Sequence, residues 1–323
     1  MDRADVLVVS LGTTAGWRSA DAALTAAIER AGVPAAHVTA APVPQVRTFM
    51  ATDFVQARAA RVAAQAGIER HRPRALVYGS STAALLGPQP GAIWFDAPAA
   101  QNRPGRHGLW QRPLERRRME QAPLLLGMSD GSLAALHPRP ATPALVLPVP
   151  VEPSGPPAAK EIAALAYAAD AEKKGLARIL DAWEQARRPG ETLLVAGQHG
   201  SLGPGAEGTG LLAPSAYREL LRRARIFVAA PRREDHGIAQ LEALADGARL
   251  VTTPAPGPYP ALGFARELDP ACVGEDLARA IRAGLDAPDG DGYAERALAL
   301  LAPHRLAAFE AAVRDEVLPV LVG

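Results

Sequence analysis

A chain of 323 residues can hold two domains of ordinary size, and its 48% hydrophobic and 21% charged content is a globular composition that excludes disorder and fibres. The net charge of +1 argues against a nucleic-acid binder, whose affinity would rest on neutralising phosphates. The single cysteine, Cys272, excludes an internal disulfide and a cysteine-based metal cluster. Without a charged leader ahead of an apolar core, or an apolar run of spanning length, the expected location is the cytoplasm.

The charge is uneven: residues 1–150 carry 16 arginines against 10 acids, net +6, and residues 151–323 carry 19 basic against 24 acidic residues, net −5. A first domain that faces an anionic acceptor or a membrane surface would explain this, as would a solvated basic face. Residues 5–11 (DVLVVSL) read as a buried strand, followed by Gly12-Thr13-Thr14-Ala15-Gly16 and a helix over 21–32. Strand, glycine-bearing loop and helix open a doubly wound α/β sheet, where ligands bind at strand ends. The glycine spacing is not Gly-x-Gly-x-x-Gly, so no nicotinamide cofactor is implied. Residues 55–70 are helical, and 75–78 (ALVY) form a strand that runs into Gly79-Ser80-Ser81-Thr82. Those hydroxyls either contact an acceptor or cap the next helix. Residues 91–96 (GAIWFD) are a strand with Asp96 at its end, to orient an acceptor hydroxyl or to close a turn.

Next come Arg103, Arg106, Arg112, Arg116, Arg117 and Arg118, with His107 and Trp110 among them. Basic residues with an aromatic suit anionic lipid or phosphate, hence a peripheral membrane contact; a solvated helix face is the plainer alternative. Residues 124–128 form a strand ahead of Ser129-Asp130. The proline-dense stretch 137–159 forbids helix, and 144–149 within it reads as the last strand of the first domain. The expected division is a first domain over 1–152, a second over 153–302, and a terminal helix over 303–323.

The second domain opens with a strand over 162–168, a loop Asp170-Ala171-Glu172-Lys173-Lys174-Gly175, and a helix over 176–187. Two of only three lysines, against 32 arginines, are Lys173 and Lys174. A compact ammonium suits a pyrophosphate, although a solvated pair in a loop would look the same. A strand over 193–197 ends at Gly197 and enters a glycine-rich loop that reaches Gly210, followed by a helix over 215–225. Residues 225–256 are the most informative stretch. A continuous apolar strand (Ile226, Phe227, Val228, Ala229) stops at Pro231, a helix opens at Gly237 and closes at Gly247, and Leu250 and Val251 start another strand. Glu234 and Glu242 stand either side of that helix start, whose unpaired N–H groups form a ready phosphate site. Helices are expected over 275–285 and 293–320.

The pattern Glu234-x7-Glu242, followed by Ala243, Leu244, Ala245 and Gly247 and preceded by Pro231, resembles the signature of the family 4 retaining glycosyltransferases. It is a loosened match, with Ala230-Pro231-Arg232 and His236-Gly237 where the family has Pro-Ser and Phe-Gly. The resemblance implies the GT-B fold, two Rossmann-like α/β domains with parallel sheets facing a cleft, and a retaining, metal-independent hexosyltransferase. Its implied donor is a nucleotide-diphosphate sugar, with no further cofactor. The acceptor stays open between glycan, lipid and small molecule. By resemblance, Glu234 and Lys174 are catalytic. Lys173, Lys174, Gly197, Arg232, Arg233, Glu234, His236, Gly237, Ile238 and Glu242 bind the donor, with Glu242 on the ribose. Gly12, Thr13, Ser80 and Asp96 line the acceptor side. Three places depart from the family: Gly79 replaces a histidine, Ala168 replaces a diphosphate-binding arginine, and the loop 254–260 lacks the usual Gly-Gly and glutamate. Arg232 or Arg233 would have to supply the missing charge. The departures keep two alternatives alive, a binding protein that has lost catalysis and a sugar-nucleotide epimerase.

Overall fold

The computed structural model describes residues 3–44, 46, 48–288 and 290–323, which form two compact units, 1–150 with 306–323, and 151–305. The first unit begins with β1 (Val6–Ser10), α1 (Ala15–Arg30), β2 (Ala35–Thr39), α2 (Phe49–His71) and β3 (Ala75–Tyr78). It continues with α3 (Ser81–Leu85), β4 (Ala92–Phe95), α4 (Ala99–Asn102), a 3-10 turn (Gly105–Gly108) and α5 (Gln111–Gln121). β5 (Leu125–Gly127), α6 (Asp130–Ala134) and β6 (Ala144–Val146) complete its first run. The six strands form one parallel sheet in the order β2-β1-β3-β4-β5-β6. Every residue of β1 and β4 is buried, as continuous apolar runs require when helices cover both faces.

Helix α1 starts six residues before the expected position. Thr14 caps it by accepting the N–H of Trp17, so Asp21 lies inside the helix and not at its start. The C-terminal residues 306–323 pack within this first unit: the Trp94 and Phe309 rings lie 5.9 Å apart, and Arg30 pairs with Glu310 at 2.7 Å.

The second unit runs through β7 (Ile162–Tyr167), α7 (Leu176–Ala186), β8 (Leu193–Ala196), β9 (His199–Gly203), β10 (Ala206–Gly210) and α8 (Pro214–Arg223). Then come β11 (Ala224–Ala229), α9 (Ile238–Ala245), β12 (Arg249–Thr252), α10 (Pro260–Leu268), α11 (Leu277–Asp286) and α12 (Tyr293–Leu300). Its sheet has the order β12-β11-β7-β8-β10-β9. The sheet is parallel, as expected, up to its edge, where the structure corrects one reading: the glycine-rich stretch taken for a loop is a hairpin, and β9 runs antiparallel to β10. Alternation of apolar residues is what marks a strand, and a run of glycines carries none. Helix α10 was also not foreseen; Pro260 at its first position fits, since a missing N–H costs nothing there.

The single helix expected over 293–320 is broken. After α12 comes a 3-10 turn at Ala302–His304 containing Pro303, then α13 (Leu306–Ala312), a wider turn (Val313–Val317) and α14 (Leu318–Val322). Proline removes a helical hydrogen bond and ends the regular winding.

In each sheet the chain leaves one strand in opposite directions. The reversal falls between β1 and β3 in the first unit and between β7 and β11 in the second. Loops at the carboxyl ends of such strands diverge and leave a crevice, the usual ligand position in open α/β sheets.

Candidate functional site

In the second unit the crevice is bounded by the loop after β7, which carries Lys173 and Lys174, and the loop after β11, which carries residues 230–237. Gly175 allows the two to touch. It has φ +67°, and a Cβ there would lie 2.0 Å from the carbonyl oxygen of Ala230, so any other residue would drive the loops apart. Arg232 donates its backbone N–H to the carbonyl of Lys173 at 3.1 Å. The lysine ammonium of residue 174 then reaches the carboxylate of Glu234, with Nζ 2.6 Å from Oε2. Glu234 is only 6% exposed and also accepts Gln240 Nε2 at 3.1 Å. Its own N–H donates to the carbonyl of Pro256 at 3.0 Å. A buried carboxylate without such partners would be costly, and these contacts stabilise its charge.

Gly237 caps α9 in the left-handed conformation, with Ile238 as the first helical residue. The first-turn N–H groups of a helix have no acceptor within it, and the helix dipole adds a partial positive charge. Tyr259 closes the site from the other side. It is 3% exposed, holds an unusual φ of +26°, and hydrogen-bonds through its hydroxyl to Thr252 at 2.7 Å. A small pocket here is lined by Tyr167, Lys174, Phe227, Pro231, Ala239 and Gln240. The arrangement offers one ammonium, one carboxylate and a helix tip, which can together hold an anion beside a polyhydroxylated group.

Other expected residues stand at varying distance from this cluster. Glu242 lies one helical turn further along α9, 3.4 Å from Arg218, which also binds Asp246 at 2.6 Å. Burial raises the Glu242 pKa. Beside it the buried Tyr217 hydroxyl has no hydrogen-bond partner, and its ring meets Tyr167 edge-on at 5.7 Å. Gly197 follows β8 and donates its backbone N–H to the carbonyl of Gly210 at 2.9 Å. Lys173 is exposed. Arg232 pairs with Glu172 at 2.8 Å on the surface, and Arg233 with Asp235 at 2.6 Å. Ala168, where the resemblance calls for an arginine, is fully buried and gives its carbonyl to Gln198. His236 is 5% exposed with neither ring nitrogen hydrogen-bonded, and burial pushes its pKa down to about 3. Gln240 and Tyr259 were not foreseen as neighbours of Glu234. The three-residue step from Gly237 to Gln240 was the one available signal for the former.

The first unit has its own cluster at the β1/β3 reversal. Ser10 donates its hydroxyl to the buried Asp21 and accepts the N–H of Gly12 at 3.0 Å. The other Asp21 oxygen has no partner, and burial pushes its pKa up to about 7. A Cβ at Gly79 would lie 2.2 Å from that oxygen, so Asp21 fills the space a side chain at position 79 would occupy. Thr13 is exposed, and Ser80 caps α3 by accepting the N–H of Ala83 at 3.1 Å. Asp96 closes its own turn through the N–H of Ala97 at 2.7 Å.

The arginine-rich stretch is largely structural. Arg103 grips the buried Asp53 with two hydrogen bonds, of 2.6 and 2.9 Å, and Arg118 donates to the carbonyls of Leu85 and Gly87. Among the described residues no cluster of histidine, cysteine and carboxylates is placed to hold a metal ion, and no helix is long and apolar enough to cross a membrane.

No protein-family profile and no curated protein sequence matches the chain. Solved structures do. WaaG, a glycosyltransferase involved in lipopolysaccharide biosynthesis, matches with a TM-score of 0.72 at 16% identity, over 98% of this chain and 100% of its own. Sucrose-phosphate synthase from Thermosynechococcus elongatus gives 0.67 at 15% identity, over 94% and 96%. Anabaena HepE, solved with UDP and glucose, gives 0.63 at 12% identity, over 98% and 99%. With two α/β units of six strands each and these neighbours, the chain has the GT-B fold.

Proposed function

We propose that the protein is a glycosyltransferase that moves a hexosyl group from a nucleotide-diphosphate sugar to an acceptor hydroxyl, with retention of configuration and without a metal ion. The observation that carries this reading is the meeting of Lys174, Glu234 and the N-terminus of α9 at the strand-order reversal of the second unit. The donor diphosphate lies at the helix tip, neutralised by Lys174 with Lys173 nearby. Glu234 accepts hydrogen bonds from the donor sugar hydroxyls, and Glu242 from the ribose. In the reaction the bond from the anomeric carbon to the diphosphate oxygen breaks as the acceptor oxygen bonds to the same face. The acceptor proton passes to the departing diphosphate. The lysine ammonium and helix N–H groups stabilise the charge that develops there.

Incubation with UDP-, GDP- and ADP-hexoses tests this. Release of free sugar and nucleoside diphosphate, lost in Lys174→Ala, is the expected result; a full panel with neither turnover nor binding overturns it. A second reading, binding without turnover, is favoured by two observations: Ala168 leaves no arginine in the loop after β7, and Asp21 fills the space over Gly79. Saturable binding of a sugar nucleotide with no hydrolysis would select it.

A further inference from the structure

Helix α9 opens with Gly237 as its N-cap, which puts Gln240 at the third helical position. A glutamine there usually turns back to the N-cap residue and accepts its backbone N–H. Gln240 does not. Its amide nitrogen donates to Glu234 Oε2 at 3.1 Å, and its amide oxygen, Oε1, has no hydrogen-bond partner among the described residues. The residue is only 2% exposed. Charge sets the orientation: an amide oxygen turned toward Glu234 would meet a carboxylate, so the nitrogen faces it and the oxygen is left over. A buried acceptor without a donor bears the full penalty of its lost hydration.

Gly237 shows where that oxygen stands. A Cβ added to the glycine would lie 3.3 Å from Gln240 Oε1, 3.3 Å from Glu234 Cγ and 3.1 Å from the Tyr259 ring. The orphaned oxygen is therefore at the helix tip beside Glu234, and Gln240 lines the same small pocket as Lys174. The Tyr259 hydroxyl pairs with Thr252 at 2.7 Å and the Lys174 ammonium with Glu234 at 2.6 Å, so neither supplies the missing donor. Lys174 and Gln240 both donate to Oε2 of Glu234, and its other oxygen takes neither. Two acceptors thus stand close together without donors.

We infer that Gln240 reads one hydroxyl of the donor sugar. That hydroxyl donates to Gln240 Oε1, while Gln240 Nε2 holds Glu234 with its second oxygen free for a neighbouring hydroxyl. This rests on the proposed use of the site for a sugar nucleotide, and adds a second side chain to recognition of the sugar. A sugar hydroxyl supplies the donor that the protein lacks. An ionised diphosphate carries acceptors only and would meet Gln240 Oε1 unfavourably, so the phosphates are left to Lys174 and the first-turn N–H groups.

The test compares the wild type with Gln240→Met, which keeps the volume and removes both polar atoms. The probes are whichever UDP-, GDP- or ADP-hexose the wild type binds most tightly, the corresponding nucleoside diphosphate, and analogues of that sugar nucleotide lacking one sugar hydroxyl at a time. The variant should bind the sugar nucleotide at least about fivefold more weakly, with its affinity for the nucleoside diphosphate within about twofold of wild type. One deoxy analogue should cost the wild type about fivefold, and the variant should bind that analogue as well as its parent. Thermal melting checks the fold; should the methionine variant not fold, Gln240→Asn, which draws the amide back by one methylene, takes the same measurements. Equal weakening of sugar nucleotide and nucleoside diphosphate would mean that Gln240 merely supports the helix tip, and overturns the inference. So does an unchanged affinity for the sugar nucleotide, or a deoxy penalty that persists in the variant. Failure of the wild type to bind any sugar nucleotide is a different result: it overturns the proposed function itself, and the role of Gln240 falls with it.

Discussion

The ammonium of Lys174 and the carboxylate of Glu234 stand 2.6 Å apart although 60 residues separate them, and both are largely withdrawn from solvent. Each is the other's main source of compensation. Removing one partner of a buried pair leaves a bare charge and costs more than removing both. Lys174→Met is expected to destabilise the fold by about 2 kcal/mol, less than a wholly buried pair would lose because the lysine keeps some contact with water. The double variant with Glu234→Gln should recover about half of that. Urea denaturation of the three variants measures the coupling. In the same proteins Lys174→Met should weaken nucleoside diphosphate binding by at least about tenfold, the usual worth of a charge-assisted hydrogen bond.

The contact between the two loops that carry this pair depends on Gly175. With φ +67° and the Ala230 carbonyl 2.0 Å from any added Cβ, Gly175→Ala must shift backbone against backbone. A loss of more than about 2 kcal/mol in stability is expected, with a parallel loss of nucleotide affinity because Lys174 moves with the loop. Gly190→Ala is the control. It too has positive φ, but nothing lies within 4 Å of its Cβ. It should cost less and leave binding intact.

Much of this architecture was legible in the sequence. The apolar runs at β1, β3, β4, β7, β8 and β11 are continuous, all but β7 lie next to or near a glycine or proline, and continuous runs are how strands covered on both faces are written. Lys174 and Glu234 stood out because lysine is rare in this chain and because an acid precedes a helix start. What escaped was written without hydrophobic contrast: the β9–β10 hairpin is mostly glycine and polar residues, and α10 begins within a proline-rich loop. The role of Asp21 was hidden for another reason. Sequence places it where acids commonly begin helices, whereas Thr14 begins the helix and turns Asp21 inward on Ser10. Contacts of that kind depend on which helix face meets the sheet, and no local pattern records it.

Burial holds the Asp21 carboxyl near pKa 7, against 3.8 unperturbed, and Glu115 is likewise pushed up to about 7. For an acid whose pKa is higher in the folded state, the native protein binds more protons. The stabilising contribution is therefore complete below about pH 4 and is lost as pH rises toward 7. His236 and His304 work in the opposite sense. Burial holds them at about 3 and about 4, so their contribution is complete above the unfolded value of 6.5 and is lost as pH falls through the acid range. The difference between the wild type and Asp21→Asn isolates one group. The variant should gain on the wild type by up to a few kcal/mol as pH rises from about 4 to about 7, then by no more. Denaturation midpoints across that interval check it, and a constant difference would mean that Asp21 keeps an ordinary pKa.

The same carboxyl explains why position 79 is glycine. A Cβ there would meet Asp21 Oδ1 at 2.2 Å, inside any tolerable contact, and the oxygen cannot retreat freely because Ser10 holds the other side of the carboxyl. Gly79→Ala should therefore cost about 2 kcal/mol or more. Shortening the opposing side chain opens the space. In Asp21→Ala the same Gly79→Ala change should cost at least about 1 kcal/mol less, a coupling far above the few tenths seen between independent sites. Thermal melting of the two single variants and the double variant gives the coupling directly, and strict additivity would mean that the two positions do not share this space. If the coupling holds, a histidine cannot enter at position 79 while Asp21 is present. The crevice of the first unit is then built around a carboxyl carried by α1 in place of a side chain at the end of β3.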